Sequence, residues 1–204
     1  MDSNNMLNYL FMVSNKNILL NVYMHLIVIA AIISLYILKS SKAKKNIFNG
    51  TVLVLTSSVT INAVVHGNPF HEVTFGIITI IAVVVLIQGK NPITMPQKGV
   101  RTIIAFEFII IGLWYPEFVN VNIFKCLLVS PIGVAPCPTL ITILGMLNLY
   151  YPKVNKLQFN VTVCFGLVYG IVGTIGFGVR LDLSLIGIVI YSIYNIMTNS
   201  KAIG

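Results

Sequence analysis

The sequence predicts an all-α fold, a polytopic membrane helix bundle of about seven transmembrane helices with the N-terminus outside and the C-terminus cytoplasmic. Three observations predict it. Hydrophobic residues make up 57% of the 204 residues and charged residues only 9%, against roughly 25% charged in soluble proteins, and the mean hydropathy is +0.93. Apolar runs near the roughly 20 residues that cross a bilayer follow one another with short turns between them. The basic residues gather in alternate turns, as the positive-inside rule requires of a membrane protein.

Residues 1–17 read as an outer N-terminal segment. The predicted spans are 18–38, 47–65, 70–88, 102–119, 126–150, 159–179 and 183–197, all within a single transmembrane domain covering 1–204. The first is too long for a signal-peptide core and has no small-x-small cleavage site with a polar flank, so it reads as retained. Lys39, Lys42, Lys44 and Lys45 follow the first span, Lys90, Lys98 and Arg101 the third, Lys153 and Lys156 the fifth, and Lys201 the seventh. Only Lys16, Lys125 and Arg180 are left for the other side. The larger set marks the cytoplasmic side, and Asp2, Glu72, Glu117 and Asp182 then fall outside. The net charge of +8 is accordingly a topology signal, not a nucleic-acid footprint. Trp114 with Tyr115 and Tyr150 with Tyr151 stand at span ends, as aromatic belts do. The longest loop, 89–101 with Pro92 and Pro96, is too short for a separate soluble domain. Asn49-Gly50-Thr51 and Asn160-Val161-Thr162 match the glycosylation pattern but lie at cytoplasmic span starts and are discounted. Gly166, Gly170, Gly173, Gly176 and Gly178 make the sixth span a close-packing helix, for which packing inside the bundle outranks a dimer face.

The chemistry concentrates at 130–139, Ser-Pro-Ile-Gly-Val-Ala-Pro-Cys-Pro-Thr. Pro131, Pro136 and Pro138 cannot sit in an unbroken helix, because each lacks an N–H and crowds the preceding turn. The expectation is a break between Pro131 and Pro138, with a helix restarting near Cys137. Pro131, Gly133, Pro136, Cys137, Pro138 and Thr139, with His25 and Glu107 of other spans, form the candidate solute or structural site, since irregular backbone at membrane depth must be buried in protein or line a cavity and ionisable residues within spans mark working sites. A cysteine at a helix N-terminus suits a metal ligand or a reactive thiol. A small apolar side chain filling a tight bend is the competing reading, and both stay open. Cys126 and Cys164 have no motif partner, so no disulfide framework is indicated.

His66, His71 and Glu72 bracket an Asn68-Pro69 turn. With Cys137 they form the candidate metal set, because imidazole, carboxylate and thiolate suit zinc- or copper-like ions. Interfacial histidines in contact with water are the alternative. His25, inside the first span, calls for a hydrogen-bonding partner from a neighbouring span, a reading preferred to haem ligation. Glu107, within the fourth span, either snorkels and pairs with Lys98 or Arg101 or serves as a protonatable group on an ion path.

Gly133-Val134-Ala135-Pro136-Cys137-Pro138-Thr139, followed by an apolar helix with Gly145, resembles a family of uncharacterised bacterial and archaeal polytopic membrane proteins with a G-V-x-P-C-P-x-T/V-type segment late in the chain. Asn68-Pro69 before Phe75-Gly76, and Tyr115-Pro116, fit that pattern in order and spacing. The resemblance implies a membrane fold and adds weight to Pro136, Cys137 and Pro138 as the family-defining site. It implies no activity.

The chain has no Gly-rich phosphate loop, no H-E-x-x-H, no G-x-S-x-G and no lysine in the seventh span for a retinal Schiff base. An enzyme is therefore the less favoured class. The leading expectation is a small transporter or channel-like protein in the cell (plasma) membrane, handling a metal ion or small polar solute at an outward-facing broken-helix site. Its partners are the lipid bilayer and that solute or ion, and a transition metal ion is the cofactor candidate. The alternatives are a membrane-embedded thiol or haem redox enzyme and a non-catalytic membrane partner protein.

Overall fold

The computed structural model describes residues 3–89, 93 and 99–200. Helix α1 (Ser3–Lys16) is followed by α2 (Ile18–Ile37), α3 (Ser41–Val65), α4 (Pro69–Gln88) and α5 (Val100–Leu113). A 3₁₀ turn (Pro116–Phe118) and the short α6 (Cys126–Val129) lead to α7 (Pro136–Tyr150). Helix α8 (Lys156–Ile171) continues into a π-helical turn (Val172–Gly176), and α9 (Asp182–Ser200) ends the described chain. Asp2, Lys90, Pro92, Pro96, Lys98 and Lys201 lie outside the described residues.

The all-α bundle stands, but the expected seven spans do not. Among the described residues four helices are long and apolar enough to cross a membrane: α2, α3, α4, and α8 with its π turn (Lys156–Gly176). Helix α5 has 14 residues and α7 has 15, a rise of roughly 22 Å at most against a hydrocarbon core of about 30 Å. Helix α9 has 19 residues, but Asp182, Ser184, Ser192, Asn195 and Thr198 interrupt its apolar pattern. The physical reason is that apolar length on paper is not helix length. The fourth run stops at Leu113 before Trp114 and Pro116, and the fifth is broken over 130–135. Every residue of α7 is buried, so this helix is covered by protein and its apolar character answers to neighbouring helices rather than to lipid.

Side-chain polarity is inverted relative to a soluble protein. The exposed faces carry Leu19, Ile37, Ile61, Val65, Ile80 and Ile87, while Asn21, His25, Asn148, Gln158 and Asn195 are buried. Apolar side chains outside and polar groups inside are what a bilayer imposes. The protein is a multi-pass, membrane-embedded helical bundle.

Its two ends differ. One carries the lysine-bearing α2–α3 and α7–α8 turns, where Lys45 Nζ donates to the Gly89 carbonyl at 2.9 Å and the Tyr191 hydroxyl donates to the Arg101 carbonyl at 3.5 Å. The other gathers α1, the α3–α4 turn and the N-termini of α7 and α9. Asn68 organises that second end. Its side chain caps α4 by accepting from the His71 N–H at 3.2 Å, Pro69 follows at the position where a missing N–H is harmless, and its amide donates to Met6 Sδ of α1 at 3.4 Å. Asn68→Ala is expected to lower stability by about 1 kcal/mol, read as a lowered thermal midpoint in detergent. An unchanged midpoint would refute the capping role.

Candidate functional site

The broken segment satisfies its own backbone. Ala135 N–H and Val134 N–H donate to the Pro131 carbonyl at 2.7 and 3.1 Å, and Ile132 N–H donates to the Ser130 carbonyl at 2.8 Å. Thr139 closes the turn from the other side: its hydroxyl donates to the Ala135 carbonyl at 2.6 Å and accepts from Gly133 N–H at 2.8 Å. Gly133 has φ 71°, and a Cβ there would come within 2.7 Å of Met24 Cγ on α2. A residue without a side chain is needed on both counts. The break predicted from the prolines is therefore present, with α7 restarting at Pro136.

Cys137, in the first turn of α7, takes its hydrogen-bond partner from outside the predicted ligand set. Its thiol donates to Asp182 Oδ2 at 3.2 Å, and the Tyr115 hydroxyl donates to Asp182 Oδ1 at 2.5 Å. Asp182 opens α9 and is 1% exposed. Beside it the π turn of α8 presents Gly173, where an added Cβ would lie 2.6 Å from Asp182 Cγ. The carboxylate occupies the space that any side chain at 173 would take.

A cavity of about 40 Å³ opens at this group, bounded by Cys137, Asp182, His71, Tyr169, Phe118 and, from α1, Met6 and Leu10. That is room for about two or three waters. The His71 ring lies 5.5 Å from the Tyr169 ring between centroids, and the Tyr169 hydroxyl is hydrogen-bonded to Thr74 Oγ1 at 2.6 Å. Tyr9 of α1 packs on both His66 and His71, at 6.0 and 5.9 Å.

The predicted residues thus divide. Pro136, Cys137 and His71 reach the cavity, while Pro131, Gly133, Pro138 and Thr139 are buried in the break beside it. His66 caps α3, its Nδ1 2.9 Å from the Asn62 carbonyl, and Glu72 is exposed in the first turn of α4. Among the described residues no three His, Cys, Asp or Glu side chains are grouped as metal ligands. His25 is fully buried between α2, the end of α5 and the break. Its Nδ1 is 2.7 Å from the Asn21 carbonyl, and its Nε2 is 3.0 Å from the Leu113 carbonyl and 3.1 Å from Ser130 Oγ. Both ring nitrogens are engaged with the protein, in keeping with a structural role. Glu107 is exposed on the outer face of α5, flanked by the exposed Ile103 and Ile110 and remote from the cavity.

Asp182, Tyr115 and Gly173 are the residues that sequence reasoning missed as a site. Asp182 was placed in an outer turn and Tyr115 in an aromatic belt. The one available signal was an acid standing directly before an apolar run. No protein-family model, no curated protein and no solved structure matches the chain.

Proposed function

We propose that the chain is a small transporter or channel-like protein of the plasma membrane that receives a small polar solute or cation at the Asp182–Tyr115–Cys137 site. The observation that carries this reading is a carboxylate buried in a membrane-embedded bundle, held by a phenol and a thiol and facing a water-sized cavity. Ionisable groups in such places are expensive and mark solute or ion paths. The neighbouring break in α7 and π turn in α8 support it, since interrupted helices free backbone groups for a ligand and π turns recur at functional sites. A solute bearing N–H or O–H donors can take the place of the thiol and phenol on Asp182. The grouping of the lysine-bearing turns at the opposite end supports a site that opens away from the cytoplasm. A nucleophilic-thiol enzyme has less support, because the Cys137 proton is directed at a carboxylate and not at an imidazole base.

Reconstituted vesicles test the reading. Stopped-flow light scattering would follow entry of methylammonium, urea, formamide and glycerol, with an entrapped pH dye reporting coupled protons. Wild-type vesicles are expected to admit at least one of these faster than protein-free vesicles, and Asp182→Asn to return that rate to the protein-free level. Vesicles equally tight to all four, or a full rate in Asp182→Asn, would overturn it.

A further inference from the structure

The lysine-rich end of the bundle holds a second buried polar group that the Asp182 site does not use. Asn148, near the end of α7, donates through Nδ2 to Ser192 Oγ of α9 at 2.8 Å and to the Leu144 carbonyl at 2.8 Å. Asn195 Nδ2 donates to Asn148 Oδ1 at 2.9 Å, and Ser192 Oγ donates to the Ile188 carbonyl at 2.7 Å. All three residues are at most 2% exposed. The network is incomplete. Asn195 Oδ1 has no hydrogen-bond partner among the described residues. Apart from this network, in the first turn of α8, neither Oε1 nor Nε2 of Gln158 has one among the described residues. Gln158 is 0% exposed.

Orphaned carboxamides are anomalous inside a membrane protein, where lipid offers no water to satisfy them. Buried polar groups are otherwise almost always paired, and an exception points to a bound water, an ion or a working site. Structural polar glue would not account for it, since a network kept only for packing gains nothing from unpaired members. The position is equally informative. Ser192 lies roughly 15 Å along α9 from Asp182, on the same two helices, α7 and α9, that build the Asp182 site. Between the two groups α9 buries Leu185, Ile188 and Val189, and α7 buries Leu140 and Leu144. Two polar stations separated by an apolar layer along one helix pair are the layout of a path closed in its middle.

We propose that Asn148, Ser192 and Asn195 form a second binding station, at the lysine-rich end, for a small hydrogen-bonding solute that donates to Asn195 Oδ1. This inference rests on the transport reading of the Asp182 site and adds the other end of its path. The station is neutral, so it takes the solute by carboxamide and hydroxyl hydrogen bonds where Asp182 takes it by charge. The solute class is a small amide or amine, which carries the N–H donors that the unpaired oxygens lack.

The same vesicle assay, with methylammonium, urea and formamide as probes, distinguishes the two claims. Asn195→Leu keeps the branched skeleton of the side chain and removes every polar atom. Ser192→Ala removes one oxygen. Both are expected to lower the flux roughly tenfold, with elution profile unchanged. If both variants keep wild-type flux while Asp182→Asn loses it, the second station is refuted and the first site stands. If wild-type vesicles show no flux, both fall. Should Asn195→Leu fail to fold, Ser192→Ala decides by the same criterion.

Discussion

Gly173→Ala is expected to dismantle the site while leaving the rest of the bundle folded. The new Cβ would sit against the Asp182 carboxylate, 2.6 Å from its Cγ and 3.1 Å from its Cβ. Neither group can retreat freely. Asp182 is held by Tyr115 and Cys137, and Gly173 belongs to a π turn whose carbonyl accepts from Val179 N–H at 2.9 Å. The overlap costs about 1–3 kcal/mol, and Asp182 relieves it by leaving the thiol. Cys137 is 6% exposed and should become accessible. In a Cys126→Ser, Cys164→Ser background, maleimide labelling of Cys137 should accelerate by roughly tenfold or more, and the vesicle flux should fall. Labelling at the wild-type rate would mean that the close approach of Gly173 and Asp182 does not hold Cys137 in place.

What the sequence revealed about this site follows how far apart the interacting residues are. The break at 130–135 is a local event, forced by three prolines in one segment, and it was legible without any tertiary information. So was the helix restart that puts Cys137 in a first turn. The partner of Cys137 was not legible. Asp182 lies 45 residues downstream and Tyr115 lies 67 residues before Asp182, and neither carries a motif. The histidines divide for a related reason. His66 and His71 share a turn in sequence, but that turn is a helix C-cap followed by an N-cap. Only His71, inside α4, is directed at the cavity, while His66 stays on its own helix.

The span count was misread because hydropathy reports burial without saying what does the burying. Helix α7 is apolar because α5, α8 and α9 surround it, and 15 residues suffice for that role. In the sixth predicted span, five glycines were read as a packing stripe. The structure uses two of them for packing against α9, where a Cβ at Gly166 would approach Val189 and one at Gly170 would approach Ile186. Gly173 instead makes room for a carboxylate. The same small-residue pattern therefore serves two purposes, and composition does not separate them.

Thr139→Val is expected to be the most destabilising conservative change in the break. Valine keeps the shape of threonine and removes only its hydroxyl. That hydroxyl is engaged on both sides, donating to the Ala135 carbonyl at 2.6 Å and accepting from Gly133 N–H at 2.8 Å. Thr139 is 0% exposed, so water cannot replace it. Its loss leaves a buried N–H without its acceptor, and the expected cost is about 2–4 kcal/mol. The Gly133 N–H loses its acceptor, so this turn should open first, shifting the start of α7 and with it Cys137. Thr139→Ser restores the hydroxyl and should recover most of the loss, which separates the hydrogen bonds from the packing of the methyl group. Thermal unfolding in detergent, read beside Cys137 labelling, checks both halves. If Thr139→Val unfolds at the wild-type midpoint, or if serine fails to rescue it, the break is held by packing of the prolines and not by this side chain.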